Sequence, residues 1–203
     1  MGMIAWIDLE TTGTDEFDDP IIEAAVIITS DKAVTEVARR SWTVIPKRPE
    51  EAIARIEANP PVLEMHTKNG LYQELKDGVG TPHAQVQDEM VAFIAGFRSG
   101  RGRMPLGGSG VSHFDRRFIA AQWPKVSELL TYWAFDIGSV RRVGGLAGIK
   151  APAEAADSGL KTHRAMDDIE MHVEEMRWWL RFLRSMKADG VLRDLKREDA
   201  SAE

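Results

Sequence analysis

The chain has 203 residues, of which 43% are hydrophobic and 29% are charged, a composition typical of a globular domain with its own buried core. Its net charge of −6 argues against wrapping a long duplex, which needs many lysine and arginine contacts, but permits a short nucleic-acid ligand at a metal site. The sequence contains no cysteine, which excludes disulfides and thiolate metal sites. A reducing compartment follows most simply, and we expect a cytoplasmic protein.

Three strands are predicted in the first quarter of the chain, at Met3–Leu9, Ile21–Thr29 and Trp42–Ile45. Because they follow one another closely, we expect them to form an antiparallel meander. A charged, proline-flanked segment comes next, and a helix is predicted at Pro61–Asn69, closed by Gly70. Thr81 and Pro82 then predict the start of another helix, with Thr81 as N-cap and Pro82 in the first helical position.

The second half of the chain alternates between strands and helices. The predicted elements are strands at Met104–Gly108 and Ala134–Ile137 and helices at Phe114–Gln122, from Ser139, and at Arg164–Lys187. This order predicts an α/β domain over residues 1–188, built on a mixed five-stranded sheet flanked by helices. The charged tail at 189–203 is predicted to be mobile. No apolar run approaches the roughly 20 residues that a membrane span requires, so we expect no membrane partner.

Two carboxylates mark the end of the first strand. Asp8 and Glu10 are two residues apart, so a strand projects both from the same face. Adjacent carboxylates repel each other, and a cation between them would relieve the repulsion. Hard oxygen ligands select Mg²⁺ or Mn²⁺. The alternative is a solvated pair at a strand end.

Three further candidates lie later in the chain. Asp115 follows a predicted strand and a glycine-rich turn, where it is either a site carboxylate or a first-turn acid that favours the helix dipole. His163 and Asp168 are five residues apart, about 500° on a helix, and can meet only if His163 lies on the loop before the helix. His163 is then a candidate general base, or else a surface loop histidine. The basic pair Lys161/Arg164 is interpreted as a solvated surface feature.

Taken together, these five residues resemble a known set. Asp8-x-Glu10, Asp115 and His163-x₄-Asp168 occur in the order found in the DEDDh subgroup of the DnaQ-like 3′→5′ exonucleases, which have a ribonuclease H-like fold. The similarity extends toward the oligoribonucleases and covers most of residues 3–185. The segments that carry it are WIDLETTG around Asp8, Met65–Leu71, HFDRRF at 113–118 and HRAMDDI at 163–169.

The resemblance implies a two-metal phosphodiesterase. Asp8, Glu10, Asp115 and Asp168 would hold two divalent ions, Mg²⁺ or Mn²⁺, with Asp8 bridging them. His163 would take a proton from the attacking water, and the product would be a nucleoside 5′-monophosphate. The implied substrate is short or single-stranded nucleic acid, either RNA, DNA or both.

The resemblance also implies substrate-binding positions. They are Thr11, Thr12, Gly13, His66, Tyr132 and Trp133. His66 is either a substrate contact or a helix-terminal histidine bound to a backbone carbonyl. Trp133 replaces the arginine of a Tyr-Arg pair that the oligoribonucleases supply from a partner subunit, which should weaken a preference for dinucleotides. Trp133 itself would either stack on a base or pack in the core or an interface.

Three functions remain open from the sequence. The first is a 3′→5′ exonuclease on short or single-stranded oligonucleotides, and the second is a strict oligoribonuclease that degrades diribonucleotides. The third is a proofreading or accessory module that docks on a polymerase, with the tail after residue 189 as a tether. A homodimer is the expectation from the family. The six tryptophans would supply either its interface or the core.

Overall fold

The computed structural model describes residues 2–32, 34–100, 102–152 and 162–188. Within these ranges one mixed sheet contains the strands β1 (Met3–Thr11), β2 (Ile21–Ser30), β3 (Glu36–Ile45), β4 (Thr81–Pro82), β5 (Met104–Gly108) and β6 (Leu130–Asp136). Their order across the sheet is β4-β3-β2-β1-β5-β6. Strands β1, β2 and β3 form the predicted antiparallel meander, and the other neighbouring pairs are parallel.

Helices cover both faces of the sheet. They are α1 (Pro49–Glu57), α2 (Pro60–Lys68), α3 (Leu71–Lys76), α4 (His83–Ala95), α5 (Asp115–Gln122), α6 (Pro124–Ser127), α7 (Ile137–Leu146) and α8 (Ala165–Ala188). Alternate residues of β1 pack on opposite faces: Ile7 and Leu9 contact the α4–α6 side, whereas Ile4 and Trp6 contact α7 and α8. No helix among the described residues is long and apolar enough to cross a membrane.

The expectation of five strands is wrong by one strand. Thr81 and Pro82 pair with Val44 and Ile45 as the short edge strand β4, and helix α4 begins only at His83. A threonine followed by a proline suits a helix start, but an edge strand also accepts proline because its outer side needs no backbone donor. Pairing with β3 therefore decided the conformation of these two residues.

Strand β3 is longer than predicted, since it begins at Glu36 and not at Trp42. Its first half contains charged side chains, so it lacks the apolar pattern that predicts a strand from sequence. Arg39 forms ion pairs with Glu36 and with Glu170 on α8, whereas the next residue, Arg40, pairs with Glu89 on α4. Successive side chains of the strand thus reach helices on opposite faces of the sheet.

The centre of the sheet is tightly packed. The Trp6 indole lies directly over Gly107 of β5, where an added Cβ would come within 2.6 Å of the ring. Its Nε1–H donates a hydrogen bond of 2.8 Å to the Thr29 hydroxyl on β2. Because β1 and β5 run parallel, their carboxyl ends reach the same edge of the sheet. This edge holds the predicted acidic residues.

Candidate active site

The end of β1 carries the first two acidic residues. Asp8 and Glu10 project toward α8, on the same face as Trp6, and the strand register places them opposite Ala25 and Glu23 of β2. Glu10 is 7% exposed and Glu23 5% exposed, so this edge of the sheet contains buried carboxylates from both strands. Glu23 is a site-facing acid that the sequence reasoning missed, because it lies inside an apolar strand with no motif around it.

Asp115 reaches the site from the start of α5. A turn through Gly110, whose φ is +73°, leads from the end of β5 into this helix. The buried Asp115 carboxylate accepts a hydrogen bond of 3.0 Å from the backbone N–H of Leu9, the residue between Asp8 and Glu10. Asp115 therefore joins the β1 carboxylates and does not serve as a solvent-exposed first-turn acid.

His163 and Asp168 adopt the arrangement that their spacing required. His163 lies on the segment before α8 with φ of +49°, and Asp168 lies in the first turn of that helix. One ligand atom from each of Glu10, His163 and Asp168 lies within 4.8 Å of the others. The loop histidine and the helix acid thus converge on the end of β1.

Burial and mutual repulsion make this cluster unfavourable as a set of free anions. Burial raises the pKa of Asp8 well above its usual range, and the charges of Asp115, Glu10 and Asp168 raise it further. Burial, followed by the charges of Asp168 and Glu23, raises the pKa of Glu10 to about 9. The charge of Glu23 also raises the pKa of Asp8, so all four neighbouring carboxylates act on it in the same direction.

The pKa of Asp115 is also raised by burial, although the N–H of Leu9 opposes the shift. Carboxylate oxygens from Asp8, Glu10, Asp115 and Asp168 are hard ligands that suit Mg²⁺ or Mn²⁺. Cations between them would remove the repulsion that raises these pKa values. The donor set therefore fits divalent metal ions.

Arg164 was expected to be a solvated surface residue, and the structure overturns this expectation. Its Nε donates to Glu23 at 2.8 Å and its Nη1 donates to Glu74 of α3 at 2.9 Å. Burial alone would lower the pKa of the guanidinium, but the hydrogen bonds to Glu74 and the charge of Glu23 raise it overall. Both partners are distant in sequence, so the local pattern of basic residues gave no indication of them.

The predicted substrate-binding residues after β1 have structural partners. The Thr11 hydroxyl donates to the Gly13 carbonyl at 2.6 Å, and the Thr12 hydroxyl donates to Asp19 at 3.2 Å. Gly13 packs so closely on Asp19 that an added Cβ would lie 2.3 Å from its Oδ2. These residues shape the loop, and their contact with substrate stays a prediction.

His66 is fully buried beside this loop. Its Nε2–H donates to the Thr11 carbonyl at 3.0 Å, which is the backbone contact that one of the two interpretations expected. Nδ1 has no hydrogen-bond partner among the described residues. Burial lowers the pKa of His66, and the charges of His163 and Arg164 lower it further.

Tyr132 and Trp133 lie on the outer strand β6, where they are 90% and 43% exposed. The Trp133 ring packs edge to face on Phe135 at 5.3 Å. Most other tryptophans belong to the core: Trp6, Trp42, Trp123 and Trp179 are buried. Trp133 differs from these four because its side chain is exposed on β6.

The fold is shared with solved nucleases. E. coli exonuclease I in complex with a dT13 oligonucleotide aligns with a TM-score of 0.58 and 15% identity over 88% of this chain. A second exonuclease I structure gives a TM-score of 0.61 with 13% identity. The chain spans 41% and 44% of the lengths of those two proteins. The chain therefore has the α/β, ribonuclease H-like fold of these exonucleases.

Comparison with individual protein sequences identifies the family, although no protein-family profile matches the chain. The oligoribonuclease of Cutibacterium acnes is 32% identical over 179 residues, covering 87% of this chain and 84% of that protein. The oligoribonuclease of Francisella tularensis is 32% identical over 183 residues, covering 90% and 97%. The chain belongs to the oligoribonuclease family, and it is therefore an enzyme, a 3′→5′ exonuclease that hydrolyses phosphodiester bonds.

Proposed function

We propose that this enzyme is a metal-dependent exonuclease that releases nucleoside 5′-monophosphates from the 3′ ends of short, single-stranded oligonucleotides. The observation that carries the proposal is the convergence of Glu10, His163 and Asp168 within 4.8 Å, beside Asp8 and the Asp115 carboxylate. Membership of the oligoribonuclease family and the fold shared with exonuclease I bound to dT13 support the same substrate class.

Each residue has a role that its position supports. Asp8, Glu10, Asp115 and Asp168 would hold two Mg²⁺ or Mn²⁺ ions. When bound, these ions supply Lewis-acid stabilisation of the negative charge that builds on the phosphate and the leaving oxygen. His163 accepts the proton of the attacking water, because its imidazole lies beside Glu10 and Asp168.

A 5′-labelled seven-nucleotide RNA incubated with the protein and Mn²⁺ tests the proposal. We expect a ladder of products that shorten one nucleotide at a time from the 3′ end, and we expect EDTA to abolish it. A DNA oligonucleotide of the same sequence, assayed in parallel, reports the preference for the sugar. Internal cleavage, or loss of nucleotides from the 5′ end, would contradict the proposed reaction.

Substrate length separates the general exonuclease from a strict dinucleotide-degrading enzyme. Because Trp133 replaces the expected arginine and is exposed on β6, we expect turnover of a dinucleotide and of a seven-mer to agree within about tenfold. The matched variant Trp133→Arg should shift this ratio toward the dinucleotide. A wild-type enzyme that strongly prefers the dinucleotide would instead favour the strict oligoribonuclease.

We further propose that the enzyme is a homodimer and acts in the cytoplasm. Strand β6 ends the sheet, and the exposed apolar residues Tyr132, Val143 and Leu146 lie on it and on the following helix α7. A second copy of the chain would cover this edge, which fits the general need to protect an exposed strand. Sedimentation velocity at micromolar concentration tests the dimer, and a single monomeric species would exclude it. The tail at 189–203, considered as a polymerase tether, lies outside the described residues.

A further inference from the structure

Arg164 connects three parts of the chain next to the site. Its guanidinium bonds to Glu23 on β2 at 2.8 Å and to Glu74 on α3 at 2.9 Å. Nη1 also donates to the backbone carbonyl of Asn69, in the turn between α2 and α3, at 3.3 Å. Glu23 in turn accepts a 2.8 Å hydrogen bond from the N–H of Ala165, the first residue of α8. The start of α8 is thereby fixed to the sheet and to the α2–α3 turn.

The turn between α2 and α3 also binds His163, the residue before Arg164. The Asn69 side-chain amide donates to the His163 carbonyl at 2.5 Å. His163 has φ of +49°, a left-handed conformation that residues other than glycine rarely adopt. Such a conformation persists only where its surroundings enforce it. Here Asn69 binds the carbonyl of the strained residue, and Arg164 anchors the residue that follows.

We propose that Arg164 and Asn69 are positioning residues that hold the His163 imidazole against Glu10 and Asp168, with Glu23 as the buried anchor. This inference rests on the proposed function, in which His163 is the general base. The anchor is suited to the task because the Glu23 side chain is 6% exposed, whereas Arg164 is 26% exposed. A buried and fully hydrogen-bonded ion pair has one favoured geometry, so it can define the position of its neighbours.

A positioning role and a purely structural role for Asn69 predict different effects on the reaction rate. If Asn69 acts through His163, its effect on the rate depends on the presence of the imidazole. Residues that act as one unit show strongly non-additive effects on kcat, whereas independent structural contributions add. A double-mutant cycle between Asn69 and His163 therefore separates the two explanations.

We expect Asn69→Ala to lower kcat roughly 10- to 100-fold in the otherwise wild-type enzyme, because a small displacement of a catalytic group can cost about 100-fold. KM for the oligonucleotide should change less than about twofold, since uniform binding is unaffected. In a His163→Ala background, measured with enzyme in excess, Asn69→Ala should have no further effect. The control Arg39→Gln removes two exposed ion pairs, with Glu36 and with Glu170, and should leave kcat unchanged.

A second variant tests the anchor. Glu23→Gln combined with Arg164→Gln removes both charges and avoids leaving one of them buried alone. We expect the same loss of kcat at an unchanged KM. Should this double variant fail to fold, Asn69→Ala decides the matter, because it leaves no unpaired charge. Equal rate losses from Asn69→Ala in both backgrounds would overturn the inference, whereas a wild-type protein without exonuclease activity would instead overturn the proposed function.

Discussion

Replacing Asp8 by asparagine is expected to lower kcat by at least about a hundredfold, the scale of losing one electrostatic contact to a developing charge. Asp8 is central to the acidic cluster, because the charges of Asp115, Glu10 and Asp168 all act on it. The amide keeps the shape of the side chain but cannot supply an anionic oxygen to a metal ion. The rate of ladder formation under saturating Mn²⁺ measures the loss.

A nearby acid provides the control for this variant. Asp18 lies in the loop after β1, where its side chain is 68% exposed and 3.7 Å from Arg55. Asp18→Asn should retain the wild-type rate, because exposed ion pairs contribute little. An Asp8→Asn enzyme as fast as wild type would remove the assignment of the site, even if the protein remained an exonuclease.

Replacing Glu10 by glutamine is expected to stabilise the metal-free protein at neutral and alkaline pH. Folding raises the pKa of this acid from its ordinary value of 4.5 to about 9. The folded state therefore favours the protonated form, and this contribution to stability is complete below pH 4.5 and is lost as the pH rises through about 9. At pH 7 the wild-type acid costs about 3 kcal/mol relative to a neutral isostere, at roughly 1.4 kcal/mol per pH unit.

Thermal denaturation in EDTA between pH 5 and pH 9 measures this effect. We expect the melting temperature of the glutamine variant to exceed that of wild type by a margin that grows with pH. Adding Mn²⁺ should reverse the order, because the ions stabilise the folded state only where the ligand charge is present. The exposed control Glu51→Gln should follow wild type throughout. Identical melting of wild type and Glu10→Gln at every pH would refute the electrostatic account.

Several features of the fold and site follow from local patterns in the sequence. The alternation of residues along β1 put Asp8 and Glu10 on one face, and the apolar runs predicted the three antiparallel strands. The spacing of His163 and Asp168 required a loop histidine before a helix, and α8 does begin at Ala165. These predictions succeeded because strand and helix periodicities act over a few residues and do not depend on distant parts of the chain.

The resemblance to a family identified further candidate residues, but it did not indicate which groups their side chains contact. The resemblance implied that Thr11 and Thr12 bind substrate, and only the structure shows that their hydroxyls bond to Gly13 and Asp19 in the same loop. Thr81 had the signature of a helix N-cap and became a strand residue instead. For Thr81, pairing with the distant strand β3 outweighed the local preference for a helix start.

The sequence by itself determined which acids and which histidine are candidates, and which face of which element carries them. Only the tertiary structure decided that Asp115 binds the backbone of Leu9, 106 residues away, and that Arg164 is anchored by Glu23 and Glu74. The physical reason is that such contacts depend on strand register, crossover path and loop closure, which are collective properties of the packed chain. A local pattern specifies the direction of a side chain, whereas the packing of distant segments selects its partner.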